Sequence, residues 1–92
     1  MTREQAVRRG ILADLGDSHP FLIPEQSLFA GVNLRLPEAV TKIEFQAALR
    51  ELEGQKRILG IPQEEEDPIT HRPHMKWRIT DNGLARLAEL NG

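Results

Sequence analysis

The sequence predicts an α+β domain: helices fill the first half of the chain, a long-tipped β-hairpin follows, and a last helix closes it. Three observations carry this reading. Apolar residues recur at helical spacing behind two Thr-x-x-Gln/Glu capping boxes, Thr2–Gln5 and Thr41–Glu44. The pattern switches to alternation over Met75–Thr80, with Met75, Trp77 and Ile79 on one face and Lys76, Arg78 and Thr80 on the other. A proline-rich, acidic stretch, Pro62–His74, separates that segment from an earlier run of branched aliphatics.

Composition sets the limits. With 92 residues there is room for one core, because a chain of this length buries only about 60–65% of the surface its unfolded form exposes. Apolar residues at 39% against 28% charged mark a globular domain rather than a disordered tail. Lys and Arg total 12 against 14 Asp and Glu, a formal charge of -2, which argues against a uniformly basic nucleic-acid coat or a polybasic membrane binder. The absence of cysteine excludes a disulfide framework, a thiolate zinc site and a Cys nucleophile. No apolar run approaches the roughly 18–20 residues that span a bilayer. Met1-Thr2-Arg3-Glu4-Gln5 leads into no apolar signal core, so a cytoplasmic place and no membrane partner are expected.

Each element has a local cause. Thr2 and Gln5 cap a first helix over about 3–15, whose Val7, Ile11, Leu12 and Leu15 form one stripe before Gly16-Asp17-Ser18 ends it. Pro20 and Pro24 hold the residues before them out of helical geometry, so about 21–23 is extended. Pro24 then suits the first position of a second helix, about 24–33, with Leu28, Phe29 and Val32 inward and Asn33 and then Pro37 closing it, leaving Leu34-Arg35-Leu36 as connection or helix tail. Thr41 and Glu44 open the third helix, about 41–54, which buries Phe45, Ala48, Leu49 and Leu52 and ends in a left-handed cap at Gly54. Its outer side carries Ile43, Gln46, Ala47 and Arg50. Strands follow over about 56–61 and 75–80, with 62–74 as a long, mobile tip, since a two-residue turn cannot join them. Thr80 or Asp81 caps a last helix, about 81–90, with Leu84, Leu87 and Ala88 inward.

This order resembles the winged-helix fold. The segment Trp77-Arg78-Ile79-Thr80-Asp81-Asn82-Gly83-Leu84-Ala85-Arg86-Leu87 is similar to the "aromatic-x-Leu/Ile-Thr-x-x-Gly-x-x-x-Leu" passage by which many bacterial winged-helix regulators leave the wing for a closing helix. Leu49-Arg50-Glu51-Leu52-Glu53-Gly54-Gln55-Lys56-Arg57-Ile58-Leu59-Gly60-Ile61 looks like their exit from the recognition helix into the wing. The resemblance covers nearly the whole chain and points to the superfamily rather than to one family. It implies a three-helix core with a β-hairpin wing and a closing helix across residues 1–92, duplex DNA as partner, and a homodimer.

On that scheme the third helix enters the major groove. Lys42, Gln46 and Arg50 form an i, i+4, i+8 row whose chemistry suits bases: Arg for guanine, Gln for adenine, Lys for guanine or phosphate. Thr41, Lys56, Arg57, Lys76 and Arg78 would hold the backbone. Local charge points instead to a protein partner. From Thr41 to Gln55, Lys42 and Arg50 face Glu44, Glu51 and Glu53; in the hairpin tip, Glu64, Glu65, Glu66 and Asp67 face Arg72 alone. An adaptor would use Ile43 and Ala47 as a small apolar patch with a charged rim.

Other chemistry is not expected. His71 and His74 stand three apart, but Pro73 prevents a helical pair, so no metal is expected there. Ser18 and Ser27 are the only serines, and His19 beside Ser18 belongs to a helix-ending turn. No nucleophile-base couple or paired buried acids emerge, so neither catalysis nor a cofactor is expected.

Overall fold

The computed structural model describes residues 2–91. It contains α1 (Arg3–Asp17), β1 (Ile23–Pro24), α2 (Glu25–Arg35), α3 (Lys42–Gly54), β2 (Ile58–Glu66), β3 (Pro73–Ile79) and α4 (Asp81–Asn91). The three strands form an antiparallel sheet in the order β1-β3-β2. This is the winged-helix arrangement, with β2 and β3 as the wing.

Capping starts α1 and α3. The Thr2 and Thr41 hydroxyls accept from the backbone N–H of Gln5 and Glu44 at 3.2 Å, and the Gln5 and Glu44 side chains return the bond. Both boxes satisfy donors that a helix start would otherwise leave to water. Val7, Ile11, Leu12 and Leu15 of α1 meet Leu28 and Val32 of α2 and Phe45, Ala48, Leu49 and Leu52 of α3 in one core. Phe29 and Phe45 tie α2 to α3, their ring centroids 5.0 Å apart and tilted by 60°, a favourable edge-on geometry. Among the described residues no polar or charged residue is buried.

The sheet is fastened to this core by Trp77, which is 5% exposed. It pairs with Ile23 on one side and Gly60 on the other. A Cβ at Gly60 would lie 2.7 Å from the indole ring. Glycine therefore makes the space that the six-membered part of the indole ring occupies.

Several boundaries differ from expectation, each for a physical reason. Pro24 is not the first residue of α2: with φ -57° and ψ 141° it caps the helix from outside while pairing with Lys76 in β1. Of the two readings of Leu34-Arg35-Leu36, the helix tail holds for Leu34 and Arg35: α2 runs past Asn33 to Arg35. The Asn33 amide donates back to the Phe29 carbonyl (3.0 Å), and its Oδ1 accepts from Val40 N–H (2.6 Å). The same side chain thus remains helical and anchors the connection to α3.

Gly54 does not adopt the left-handed cap; Lys56 does, with φ 59°. Lys56 N–H donates to the Glu53 carbonyl and Arg57 N–H to that of Leu52 (2.9 and 3.0 Å), the paired bonds of a Schellman turn. Lys56 and Arg57 consequently lie in this turn and not on a strand. Thr80 likewise stands beyond β3, its hydroxyl accepting from Gly83 N–H at 3.1 Å as the cap of α4. In α4, Ala88 is exposed and Leu90 joins Leu84 and Leu87 against the core.

The wing is the largest departure. Strand pairing continues past Pro62 to Glu66 opposite Pro73, across a bulge, so that Glu64, Glu65 and Glu66 stand on a strand. Pro62 does not stop β2 because β2 is an edge, where one N–H of every pair has no partner to lose. The tip is then a closed turn over residues 67–72. Asp67 exchanges backbone bonds with Arg72 and His71, and its Oδ1 accepts from Ile69 and Thr70 N–H at 2.8 and 3.2 Å. Such a side-chain-organised turn replaces the mobile 13-residue loop that the prolines suggested.

Where wing and α4 meet, Gly83 sits against the α3–β2 turn: a Cβ there would lie 2.1 Å from the Arg57 carbonyl oxygen, a backbone atom that cannot swing aside. Gly54 has nothing within 4 Å of its own Cβ position and no positive φ. Gly83→Ala should therefore cost about 1–3 kcal/mol by overpacking. Gly54→Ala should be neutral or stabilising by up to about 1 kcal/mol. Urea unfolding of the two variants checks the contrast.

Candidate nucleic-acid interface

α3 is held from both sides, and what remains uncovered defines its outward face. At its start, Arg3 of α1 donates to Glu44 (2.9 Å) and to the Ala39 carbonyl (2.7 Å). Midway, the Gln46 amide donates to Glu25 Oε2 at 3.0 Å, while Glu25 Oε1 accepts from Trp77 Nε1 at 2.9 Å. Gln46 is half-buried and spends a donor inside the protein, so it is not a free reader of bases. Lys42, Ile43, Ala47 and Arg50 are exposed, Ile43 to 84%. Thr41 is also exposed, its hydroxyl engaged in the cap.

The charge along this helix is divided, which a sum over its length conceals. Glu44 sits beside Arg3. That guanidinium, followed by the Thr41 backbone N–H, holds the Glu44 carboxyl well below the usual carboxylate range, at about 2. Its charge is therefore matched inside the fold. Among the described residues Lys42 and Arg50 make no ion pair or side-chain hydrogen bond. The stretch Lys42–Arg50 of α3 thus presents positive charge and two apolar side chains, and the acids Glu51 and Glu53 follow it directly.

The remaining basic residues fall into separate groups. Lys76 and Arg78 point away from Trp77 on the outer face of the sheet, opposite Ile61 and Leu59. Lys56 and Arg57 lie past the far end of α3, roughly 20 Å from Lys42 along a helix rising about 1.5 Å per residue. None of the four makes a salt bridge within the described chain. One row joining all eight predicted contacts is therefore not what the fold builds.

Between the first turns of α2 and α3 and the wing lies an open cleft of about 560 Å³. Phe29, Phe45 and Met75 supply apolar lining, and Lys42 and Arg72 stand at its sides with Asp67 close to Lys42. Glu25 and Gln46 also line it. Sequence reasoning missed Glu25 and Arg72. The partners of Glu25 lie 21 and 52 residues away, with no local signal. Arg72 was visible only as the one cation of an acidic loop.

Comparison with known proteins supports the architecture. No family model matches the sequence, and no curated protein sequence matches it. A solved structure of a candidate transcriptional regulator from Thermoplasma acidophilum superposes with a TM-score of 0.75 at 14% identity, covering 96% of this chain and 81% of that one. At that identity the likeness defines the fold class. None of the helices among the described residues is long and apolar enough to cross a membrane.

The depressed Glu44 carboxyl makes a pH prediction. Its folded value lies below its ordinary one, so the stabilisation is complete above about 4.5 and is lost as pH falls towards about 2. Glu44→Gln should be less stable than wild type at neutral pH, with the gap closing through that window. Melting temperatures measured across it give the test; a gap independent of pH would contradict the Arg3–Glu44 arrangement.

Proposed function

We propose that this chain is a DNA-binding module of the transcription-regulator type, non-catalytic, that sets the Lys42–Arg50 stretch of α3 in the major groove. The observation that supports this best is the division of the helix: over Lys42–Arg50, Lys42 and Arg50 make no ion pair among the described residues, Ile43 and Ala47 are exposed between them, and the one acid, Glu44, is neutralised by Arg3. Recognition helices read bases mainly with their N-terminal residues. Arg50 clasps a guanine, Lys42 a guanine or phosphate, and the two apolar side chains meet thymine methyls. Gln46 positions the helix through Glu25. Lys76 and Arg78 add phosphate contacts from the wing, and Thr41, Lys56 and Arg57 the outer ones. The location is cytoplasmic in this reading, and a homodimer would place two α3 helices about 34–36 Å apart on a palindromic site.

Fluorescence anisotropy with mixed-sequence duplex DNA tests it. Binding should be measurable at about 20 mM salt and should weaken on a log-log line, by roughly 0.9 per phosphate contacted. Lys42→Ala should lower that slope by about one if it holds a phosphate, whereas Arg50→Ala should cost about 1–3 kcal/mol on a preferred site. An absence of binding at the lowest salt would overturn the proposal. It would leave the adaptor reading, which the 84% exposure of Ile43 favours and in which Ile43→Glu abolishes capture of a protein partner.

A further inference from the structure

We propose that Asp67 of the wing turn is a counter-charge to Lys42 that weakens the grip of α3 on duplex phosphates, an inference that rests on the DNA reading. The two side chains come from different elements and line one cleft, Lys42 from the first turn of α3 and Asp67 from the start of the wing turn. Lys42 makes no salt bridge among the described residues, so its ammonium is free to move between the carboxylate and a phosphate. Charges that do not touch still attract each other here, because below about 0.1 M salt screening takes hold only beyond roughly 10 Å. A phosphate that takes Lys42 must therefore outcompete an anion already in place.

Asp67 suits this role because it is both fixed and charged. Its Oδ1 accepts from the Ile69 and Thr70 N–H groups at 2.8 and 3.2 Å, and its own N–H donates to the Arg72 carbonyl at 2.8 Å. The carboxylate is thereby held at the cleft. Those two N–H groups, and after them the charges of His74 and Lys42, keep the carboxyl below its usual range. Glu64, Glu65 and Glu66 are exposed and do not line the cleft. Glu25 does line it, but its oxygens are tied to Trp77 and Gln46, where they serve the fold. Among the described acids of the wing, Asp67 is thus the one set against the start of α3. Duplex binding without sequence preference depends on phosphate contacts, and this is the component that Asp67 lowers.

Fluorescence anisotropy of the full chain with a mixed-sequence duplex, from about 20 to about 200 mM salt, tests the pair. Asp67→Asn keeps an acceptor for the Ile69 and Thr70 N–H groups, as does the hydroxyl of Asp67→Ser. Wild-type-like amide shifts over residues 68–72 verify the turn in each. Both variants should bind about two- to fivefold tighter than wild type at the lowest salt, the size of an exposed charge pair, and the gain should shrink as salt rises. Glu65→Gln removes the same formal charge and should gain less than half as much. In a Lys42→Ala background the gain from Asp67→Asn should likewise fall by more than half. Unchanged affinity in both Asp67 variants, an equal gain in Glu65→Gln, or an undiminished gain without Lys42 overturns the proposal and leaves duplex binding by the wild type standing. Absence of duplex binding in every variant would instead remove the DNA reading, and this inference with it.

Discussion

One carboxylate sets the relation between the sheet and the helix that faces outward. Glu25, the first residue of α2, accepts the Trp77 indole N–H with one oxygen and the Gln46 amide with the other. Three elements distant in sequence are thereby fixed at a single point: β3 through Trp77, α3 through Gln46, and α2 through the carboxylate itself. Without it the indole N–H of a ring only 5% exposed would lack its partner, a loss of about 1–3 kcal/mol. Gly60 beneath the ring and the apolar core above it then dictate how closely the wing approaches.

The outward face of α3 follows from what holds it. Arg3 and Glu44 neutralise each other at its start, and Gln46 is committed inward. The exposed remainder of the stretch from Lys42 to Arg50 is Lys42, Ile43, Ala47 and Arg50. A helix that looks faintly acidic when its charges are added is positive at the end that matters for groove binding, because one of its acids is used to build the fold. The acidic wing belongs to the same logic. Asp67 serves the turn, and Glu64, Glu65 and Glu66 lie on an edge strand, where charge also discourages pairing with another sheet.

Much of the fold was legible because its causes are local. Two capping boxes, the stripe behind each, the alternation that puts Trp77 inward and the Thr80–Gly83 junction all act within a few residues. The misread positions depended on distant context. Pro62 reads as a strand stop unless β2 is known to be an edge, and Gly54 draws the left-handed cap that Lys56 adopts two residues later. The site was less legible still. Periodicity placed Lys42, Gln46 and Arg50 on one row, but only the arrival of Glu25 from another helix separates Gln46 from the other two. The neutralisation of Glu44 by Arg3, 41 residues away, is equally invisible in a list of charges.

The most direct measurement is a map of where duplex DNA touches the protein, read as backbone amide shifts on the labelled chain at low salt. If a fixed α3 presents a positive face from Lys42 to Arg50, the largest changes should cluster at residues 42–50, extend to the wing around Lys76 and Arg78, and fade towards Glu51 and Glu53. Changes centred on α1 or α4, with residues 42–50 unmoved, would contradict the account.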